Sequence, residues 1–221
     1  MKKMKWIILS CCLLAAMTGI HVFSAQSVMP LAGKTILVDS GHGGKDDGAQ
    51  RGEVKEDEIN LIIAQEVKAQ LISQGANVLM TREDDRDLAD ADSENRKRDD
   101  MKKRVEFIEC GFCDLFVSIH LNAYPDASVQ GAQVFYREQD GQSERLAQLT
   151  QEALSRCSGQ KRREKPGDYY ILERTTVPGV LVECGFLSNA EEREKLQSKA
   201  YQKQVAAAIV QGLIRYVREN G

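Results

Sequence analysis

Residues 35–58, TILVDSGHGGKDDGAQRGEVKEDE, organise the whole chain. Their apolar run Ile36, Leu37 and Val38 predicts a buried strand that ends in a loop rich in glycine, and His42 lies in that loop. The acidic residue Glu56 then opens an amphipathic helix. Proteins of the α/β class place their chemistry on loops at the carboxyl ends of strands and at helix starts. The stretch therefore predicts a functional site around His42 that later segments complete.

The composition is that of one globular domain. The chain has 221 residues, of which 42% are hydrophobic and 29% charged, and this is enough for a sizeable core. The net charge of −3 gives no sign of a nucleic-acid partner. A basic cluster at residues 161–165 lacks the aromatic stacking platform of a nucleic-acid site and is interpreted as a solvated loop.

The N-terminus has the pattern of an export signal. Lys2, Lys3 and Lys5 precede an apolar run over residues 6–23, followed by small residues at which a signal peptidase could cut. The run is also nearly long enough to span a bilayer uncleaved. We therefore predict that residues 1–27 are a signal peptide or a membrane anchor, that residues 28–221 are one exported domain, and that any membrane contact is through the N-terminal segment alone.

Strand and helix signals alternate along the exported body. The patterns predict strands at 34–39, 76–81, 114–119, 131–136, 169–172 and 179–183, and helices at 56–74, 101–109, 143–157 and, as one or two helices, 190–218. This alternation predicts an α/β fold, a single domain with a mainly parallel twisted sheet and helices on both faces.

The sequence also predicts the structure of the charged segment 82–100 and the state of two cysteines. Residues 82–100, REDDRDLADADSENRKRDD, have almost no apolar side chains and predict a mobile surface loop, with a flap over a binding groove as the alternative. Cys110 and Cys113 have redox-motif spacing but lack the preceding strand of a thioredoxin site. They are predicted to be small buried apolar residues rather than a disulfide or a metal clip.

Histidine is scarce in the exported body, which holds only His42 and His120. Each follows an apolar strand, and Glu183 ends the last one, so the shared edge of a parallel sheet should bring them together. Two histidines and a carboxylate form a catalytic zinc set that leaves a position for water. A second carboxylate is then needed to move protons. Glu56 and Glu183 are the candidates, and spacing alone does not say which is the ligand and which is the base.

A zinc site that includes Cys184 is the alternative. It is disfavoured because Cys184 and Glu183 are neighbours on an extended strand and should point to opposite faces. Glu183 itself follows three apolar residues and precedes Cys184 and Phe186. A carboxylate in such surroundings lowers stability unless it is paired or functional.

Four motifs together resemble the zinc-dependent N-acetylmuramoyl-L-alanine amidases of the amidase-3 family. They are VDSGHGG at 38–44, EDEINL at 56–61, SIHLNA at 118–123 and LVECGFLSN at 181–189. The resemblance runs from residue 34 to about residue 217. Ser40 stands where the family usually has proline, and Asp57 where it usually has lysine, but neither departure touches a proposed ligand.

The resemblance implies roles for particular residues. His42, Glu56 and His120 correspond to the ligands of Zn²⁺, and Glu183 corresponds to the catalytic acid/base. Arg104 matches an arginine that the family usually carries on the helix before the third strand. Residues 28–221 are then the amidase catalytic domain.

The resemblance also implies a substrate and a location. The family cleaves the amide between the lactyl group of N-acetylmuramic acid and L-alanine, so peptidoglycan of the vegetative wall or the cortex is the expected partner, with an activator protein as a second candidate. An N-terminal segment followed by a bare catalytic domain is similar to the germination-specific amidases of spore-forming bacteria. That implies an exported enzyme of the cell wall, a membrane-anchored one, or one in the forespore intermembrane space.

Three other functions remain open from the residues alone. A non-catalytic peptidoglycan-binding protein would show loss of a ligand or of Glu183, and all four residues are present. A zinc peptidase cutting within the stem peptide would share the metal set, so the scissile bond distinguishes it. A thiol-redox protein using Cys110 and Cys113 would be inactivated by a thiol blocker rather than by a chelator.

Overall fold

The computed structural model describes residues 29–220, which form one α/β domain. The export signal predicted at residues 1–27 lies outside this range. The strands are β1 Thr35–Ser40, β2 Gln50–Arg51, β3 Val54–Lys55, β4 Asn77–Met80, β5 Leu115–Asn122, β6 Gln133–Tyr136, β7 Lys165–Pro166 and β8 Gly179–Phe186. The helices are α1 Glu56–Ser73, α2 Arg96–Glu109, α3 Gly141–Ser158, α4 Tyr170–Glu173, α5 Ala190–Gln197 and α6 Lys199–Asn220.

The main sheet is mostly parallel, as predicted. Its six strands lie in the order β4-β1-β5-β8-β6-β7, and only the β6–β8 pairing is antiparallel. The apolar runs of β1, β5 and β8 therefore lie side by side at its centre. In this register Asp39 lies beside Ser118, and His120 lies beside Glu183. The carboxyl ends of the three central strands thus share one edge, where the candidate site lies.

The two faces of the sheet bury different cores. The larger core packs against α1, α3, α5 and α6, and the smaller one is closed by α2 and α4. Leu37, Phe116 and Leu181 belong to the smaller core. Because side chains alternate along a strand, His120 and Glu183 rise from the same face as Phe116 and Leu181. His120 and Glu183 therefore stand on the face that α2 and α4 cover.

Helix α1 follows the predicted amphipathic pattern with two exceptions. Ile59, Ile63 and Val67 are buried in the larger core, as expected. The helical spacing of the apolar residues also predicts Ile62 and Ile72 on this buried face, but both are exposed. The helix ends before Gly75, whose φ of 91° is typical of a glycine that follows the end of a helix.

The predicted strand over residues 169–172 is wrong. Tyr170–Glu173 form the short helix α4, and the carbonyl of Tyr169 accepts hydrogen bonds from the N–H groups of Leu172 and Glu173. The successive residues Ile171 and Leu172 are both buried in the smaller core. A strand would send them to opposite faces, whereas a helical turn lets both pack inward.

The charged segment 82–100 is not simply a mobile surface loop. Arg82 at its start is 1% exposed and Asp100 at its end is 7% exposed. Helix α2 begins inside the segment at Arg96, five residues before the predicted start, because Asn95 caps it by accepting from the N–H of Arg98. Hydrogen bonds from Arg82 to the backbone carbonyls of Ser40, Gly41 and Asp57 hold one end of the segment, and a buried ion pair between Asp100 and Arg104 holds the other.

The cysteines in the link between α2 and β5 also differ from the prediction. Cys110 is exposed and Cys113 half-buried, and neither forms a disulfide with another cysteine of the described part of the chain. The prediction that both are buried is therefore wrong. No helix in residues 29–220 is both long enough and apolar enough to cross a membrane.

Candidate active site

Three candidate ligands come together at the carboxyl edge of the sheet. His42 lies in the loop after β1, Glu56 is the first residue of α1, and His120 is in β5. One ligand atom from each lies within 4.8 Å of the others. The Glu56 Oε1 atom is 3.2 Å from His42 Nε2 and 3.1 Å from His120 Nδ1. Two imidazoles and a carboxylate so placed can hold a divalent metal ion.

Glu56 is fixed by the backbone around it. Its Oε2 accepts from the N–H of Ala49 at 2.8 Å, and its Oε1 accepts from the N–H of Leu121 at 3.0 Å. Asn60, one helical turn later, donates to Oε1 at 3.2 Å. Burial opposes the charge of Glu56, but hydrogen bonds from the two imidazoles and their positive charge hold its pKa far below the usual range. The carboxylate is therefore ionised and pre-oriented.

His42 is oriented by a second carboxylate. Its Nδ1 lies 3.0 Å from Asp46 Oδ2, which leaves Nε2 facing Glu56. Histidines that ligate metals usually donate their other ring N–H to a carboxylate in this way. Burial lowers the pKa of His42, but the hydrogen bonds and charges of Glu56 and Asp46 outweigh it and raise that pKa to about 9.

The backbone before His42 is clamped by two buried arginines. Arg104 donates to the carbonyls of Ser40 and His42, each at 2.7 Å. Arg82 donates to the carbonyls of Ser40 and Gly41, each at 3.0 Å. His42 adopts φ 60°, a strained conformation for a residue with a side chain, and the two clamps hold it there.

Arg104 is paired with a buried carboxylate beneath the loop. Its guanidinium lies 2.7 Å from Asp39 Oδ1, and both side chains are 1% exposed. Asp39 also accepts from the hydroxyls of Thr81 at 2.8 Å and Ser118 at 2.5 Å. Burial opposes the charge of Asp39, but Arg104 and these hydroxyls keep its pKa below the usual value. The pair links β1, β5 and α2 under the candidate metal site.

Glycine is required at position 41 because His120 packs against it. A Cβ at Gly41 would lie 2.2 Å from His120 Cε1, closer than van der Waals contact permits. The glycine of the GHGG motif thus makes room for the second imidazole.

Glu183 is buried and lines the same small cavity as Glu56. It is 6% exposed, its Oε1 lies 3.5 Å from the Tyr169 hydroxyl, and its Oε2 has no hydrogen-bond partner among the described residues. Burial raises the pKa of Glu183 to about 7, and the negative charge of Glu56 adds to this rise. A carboxylate with such a pKa can exchange protons near neutral pH. Cys184 is fully buried in the larger core on the opposite face, which disfavours it as a ligand.

The cavity between these groups has a volume of about 230 Å³. Its polar side carries the three candidate ligands, and its apolar wall consists of Met101, Tyr169, Tyr170, Ile171 and Leu181. Larger clefts of about 630 and 750 Å³ lie over α3 and between α1, α3 and α6, but neither is lined by the histidines or by Glu183. The smaller cavity is therefore where chemistry can take place.

Sequence reasoning missed several residues at this site, among them the carboxylates Asp39 and Asp46, Arg82 and Tyr169. Arg82 was assigned to a surface loop, although its position directly after an apolar strand was a signal that it could be buried. Tyr169 was assigned to a strand, and no local pattern indicated that its hydroxyl would reach Glu183.

A cluster of two imidazoles and a carboxylate, near a buried carboxylate whose pKa is raised to about 7, can hold a metal ion and exchange protons with water. The chain belongs to the amidase-3 family of N-acetylmuramoyl-L-alanine amidases, whose sequence model matches residues 36–215. It is therefore an amidase that hydrolyses the bond between the lactyl group of N-acetylmuramic acid and L-alanine.

Relatives of known sequence and structure agree with this family. The germination-specific N-acetylmuramoyl-L-alanine amidase of Bacillus subtilis is 39% identical over 87% of this chain and 84% of its own length. The LytC amidase of the same organism is 33% identical over 86% of this chain, which spans 36% of LytC. The CwlD amidase from Clostridioides difficile, solved in complex with the GerS lipoprotein, has 37% identity and a TM-score of 0.81 over 84% of this chain and 99% of that one.

Proposed function

We propose that this amidase works with a Zn²⁺ ion held by His42, Glu56 and His120 and with Glu183 as the acid/base. The observation that carries the proposal is the convergence of three ligand atoms within 4.8 Å, next to a cavity that Glu183 also lines. Nitrogen and oxygen donors suit zinc, and three protein ligands leave a position for water. The carboxylate of Asp46 contacts Nδ1 of His42 and orients the ring, as a second carboxylate commonly does for a histidine that binds a metal.

In this proposal each residue of the site has a separate role in the reaction. Zn²⁺, when bound, supplies Lewis-acid polarisation of the scissile carbonyl and a lowered pKa for water. Glu183 takes the proton from the attacking water and returns it to the leaving amine of L-alanine. Glu56 stays ionised between the two imidazoles and keeps their ring nitrogens turned inward. The apolar wall excludes bulk water from the cavity.

The proposed substrate is spore cortex peptidoglycan. The Bacillus subtilis relative is a germination-specific amidase, which supports this proposal. The alignment with it covers 87% of this chain and 84% of that one. The basic and apolar residues at the N-terminus support export to the space where peptidoglycan lies. We also propose that a partner protein assists the enzyme, since the CwlD amidase was solved in complex with the GerS lipoprotein.

A peptidoglycan digest tests the proposed function. The purified protein, loaded with zinc, would be incubated separately with cortex and with vegetative peptidoglycan, and the products read by mass spectrometry. We expect free stem peptides that begin at L-alanine, released from cortex and abolished by a chelator. Fragments cut within the stem would contradict the amidase assignment, and equal release from both walls would contradict the cortex proposal. Release that needs an added lipoprotein fraction would support the proposed partner.

Replacing Asp46 by asparagine should weaken zinc binding by about 10- to 100-fold, because the charge that orients His42 and raises its basicity is lost. The matched control is Asp47→Asn, which removes a neighbouring carboxylate that contacts Lys55 at 2.9 Å instead of His42. Competition with a fluorescent chelator measures both affinities. Equal affinities for the two variants would contradict the role of Asp46.

Zinc affinity should rise with pH up to about 9. In the metal-free protein the pKa of His42 is raised from 6.5 to about 9, so the proton on His42 competes with the metal. The folded protein binds the His42 proton more tightly than the unfolded chain does. Protonated His42 therefore stabilises the metal-free fold below pH 6.5, and this contribution to stability is lost as the pH rises through about 9. Chelator competition from about pH 6 to pH 8 and thermal unfolding without metal measure the two trends. An affinity independent of pH would contradict the account.

A further inference from the structure

Tyr169 is the one described side chain that hydrogen-bonds to Glu183. Its hydroxyl lies 3.5 Å from Glu183 Oε1, and both residues line the cavity with the three candidate ligands. Glu183 Oε2 is buried and has no partner in the described part of the chain. The two oxygens of one carboxylate therefore have different surroundings.

The packing around Tyr169 fixes the position of its hydroxyl. The ring lies 5.0 Å from the ring of Phe135 at a tilt of 59°. A Cβ at Gly167 would lie 2.8 Å from the Tyr169 ring, so the glycine allows the ring to approach closely. Phe135 on β6 is paired with Leu181 on β8, two residues before Glu183. The hydroxyl is thus carried by a ring held against the strand pair that carries Glu183.

The hydroxyl acts as a donor in this contact. Burial raises the pKa of Tyr169, and the charge of Glu183 raises it further, so the phenol keeps its proton at neutral pH. A phenolic O–H that faces a carboxylate donates to it.

We propose that Tyr169 is a positioning residue for the amidase reaction: its hydroxyl donates to Oε1 of Glu183 and leaves Oε2 as the oxygen that exchanges the proton. The proposal rests on the proposed role of Glu183 as the acid/base. It explains why Oε1 of this buried carboxylate has a hydrogen-bond partner while Oε2 has none within residues 29–220. A base held in one rotamer keeps the geometry that proton transfer requires, and a base without this contact samples other rotamers.

Tyr169→Phe tests the proposal because it removes the hydroxyl and keeps the ring that packs on Phe135. The expected result is a fall in kcat of about 10- to 100-fold, the range for a hydrogen bond to a charged group. KM, zinc content and Tm should stay close to the wild-type values, because the lost contact acts on the base and not on the substrate, the metal or the core. The measurement uses the full chain loaded with zinc and a soluble muropeptide that carries the complete stem.

The matched control is Tyr136→Phe. Tyr136 also places its hydroxyl near a glutamate, 3.2 Å from Glu144, but this pair lies away from the cavity, so kcat should not change. An unchanged kcat in Tyr169→Phe would overturn the proposal. A raised KM with unchanged kcat would also overturn it, because Tyr169 would then act on the substrate. A wild-type enzyme that releases no L-alanine-terminated peptide would instead overturn the proposed function.

Discussion

Replacing Glu183 by glutamine should lower kcat by about 10²- to 10⁴-fold, the usual contribution of a general acid/base. Glutamine keeps the shape of the side chain and can still accept a hydrogen bond from Tyr169, but it cannot take a proton from water. Since Glu183 is 6% exposed and its pKa is raised to about 7, the substitution also removes a charge that burial disfavours. We therefore expect Tm to be unchanged or higher.

Zinc content separates this result from a loss of the metal site. Glu183→Gln should retain the zinc of the wild type, whereas His120→Ala should lose both zinc and turnover. The matched control is Glu144→Gln, a glutamate that also lies beside a tyrosine hydroxyl but is on α3, and its kcat should not change. A near-normal kcat in Glu183→Gln would refute the assignment of Glu183 as the acid/base.

Replacing Arg104 by methionine should destabilise the protein by about 3–5 kcal/mol, the cost of breaking a buried ion pair from one side. Asp39 would remain buried and charged without its main partner, and both residues are 1% exposed. For a domain of this size the loss corresponds to a fall in Tm on the order of 10 °C. The loop that carries His42 would lose two of its hydrogen bonds, so zinc affinity should fall as well.

Urea unfolding and zinc titration measure the two effects of Arg104→Met. The control is Arg145→Met, which breaks a surface pair with Glu219 and should cost less than about 1 kcal/mol. Adding Asp39→Asn to Arg104→Met should recover part of the stability, because it removes the unpaired charge. A stability loss no larger than that of the control would show that the buried pair does not hold the site.

The sequence was sufficient to predict the centre of the sheet and the edge of it at which His42, His120 and Glu183 come together. The runs before His42, His120 and Glu183 are apolar over several residues, and parallel pairing of such strands must bring their carboxyl ends to one edge. The roles of the two glutamates could not be derived from spacing. In the structure Glu56 lies between the imidazoles, whereas Glu183 lines the same cavity and its Oε2 has no hydrogen-bond partner among the described residues.

The contacts that the supporting residues make were not predictable from local patterns. Arg82 is in a charge-rich segment, and only the fold shows that its guanidinium reaches the carbonyls of Ser40 and Gly41, about forty residues earlier. Tyr169 precedes a helical turn that was predicted to be a strand, because two successive apolar residues fit either state. These contacts join segments far apart in sequence, and only the packed structure determines them.

Anomalous X-ray diffraction at the zinc edge, from crystals of the zinc-loaded protein, is the most direct test of the central claim. The account predicts one strong peak within about 2.0–2.2 Å of a ring nitrogen of His42, a ring nitrogen of His120 and a carboxylate oxygen of Glu56. Glu183 should lie close to that peak without bonding to it. A peak at Cys110 and Cys113, or a peak bonded to Glu183 in place of Glu56, would contradict the account.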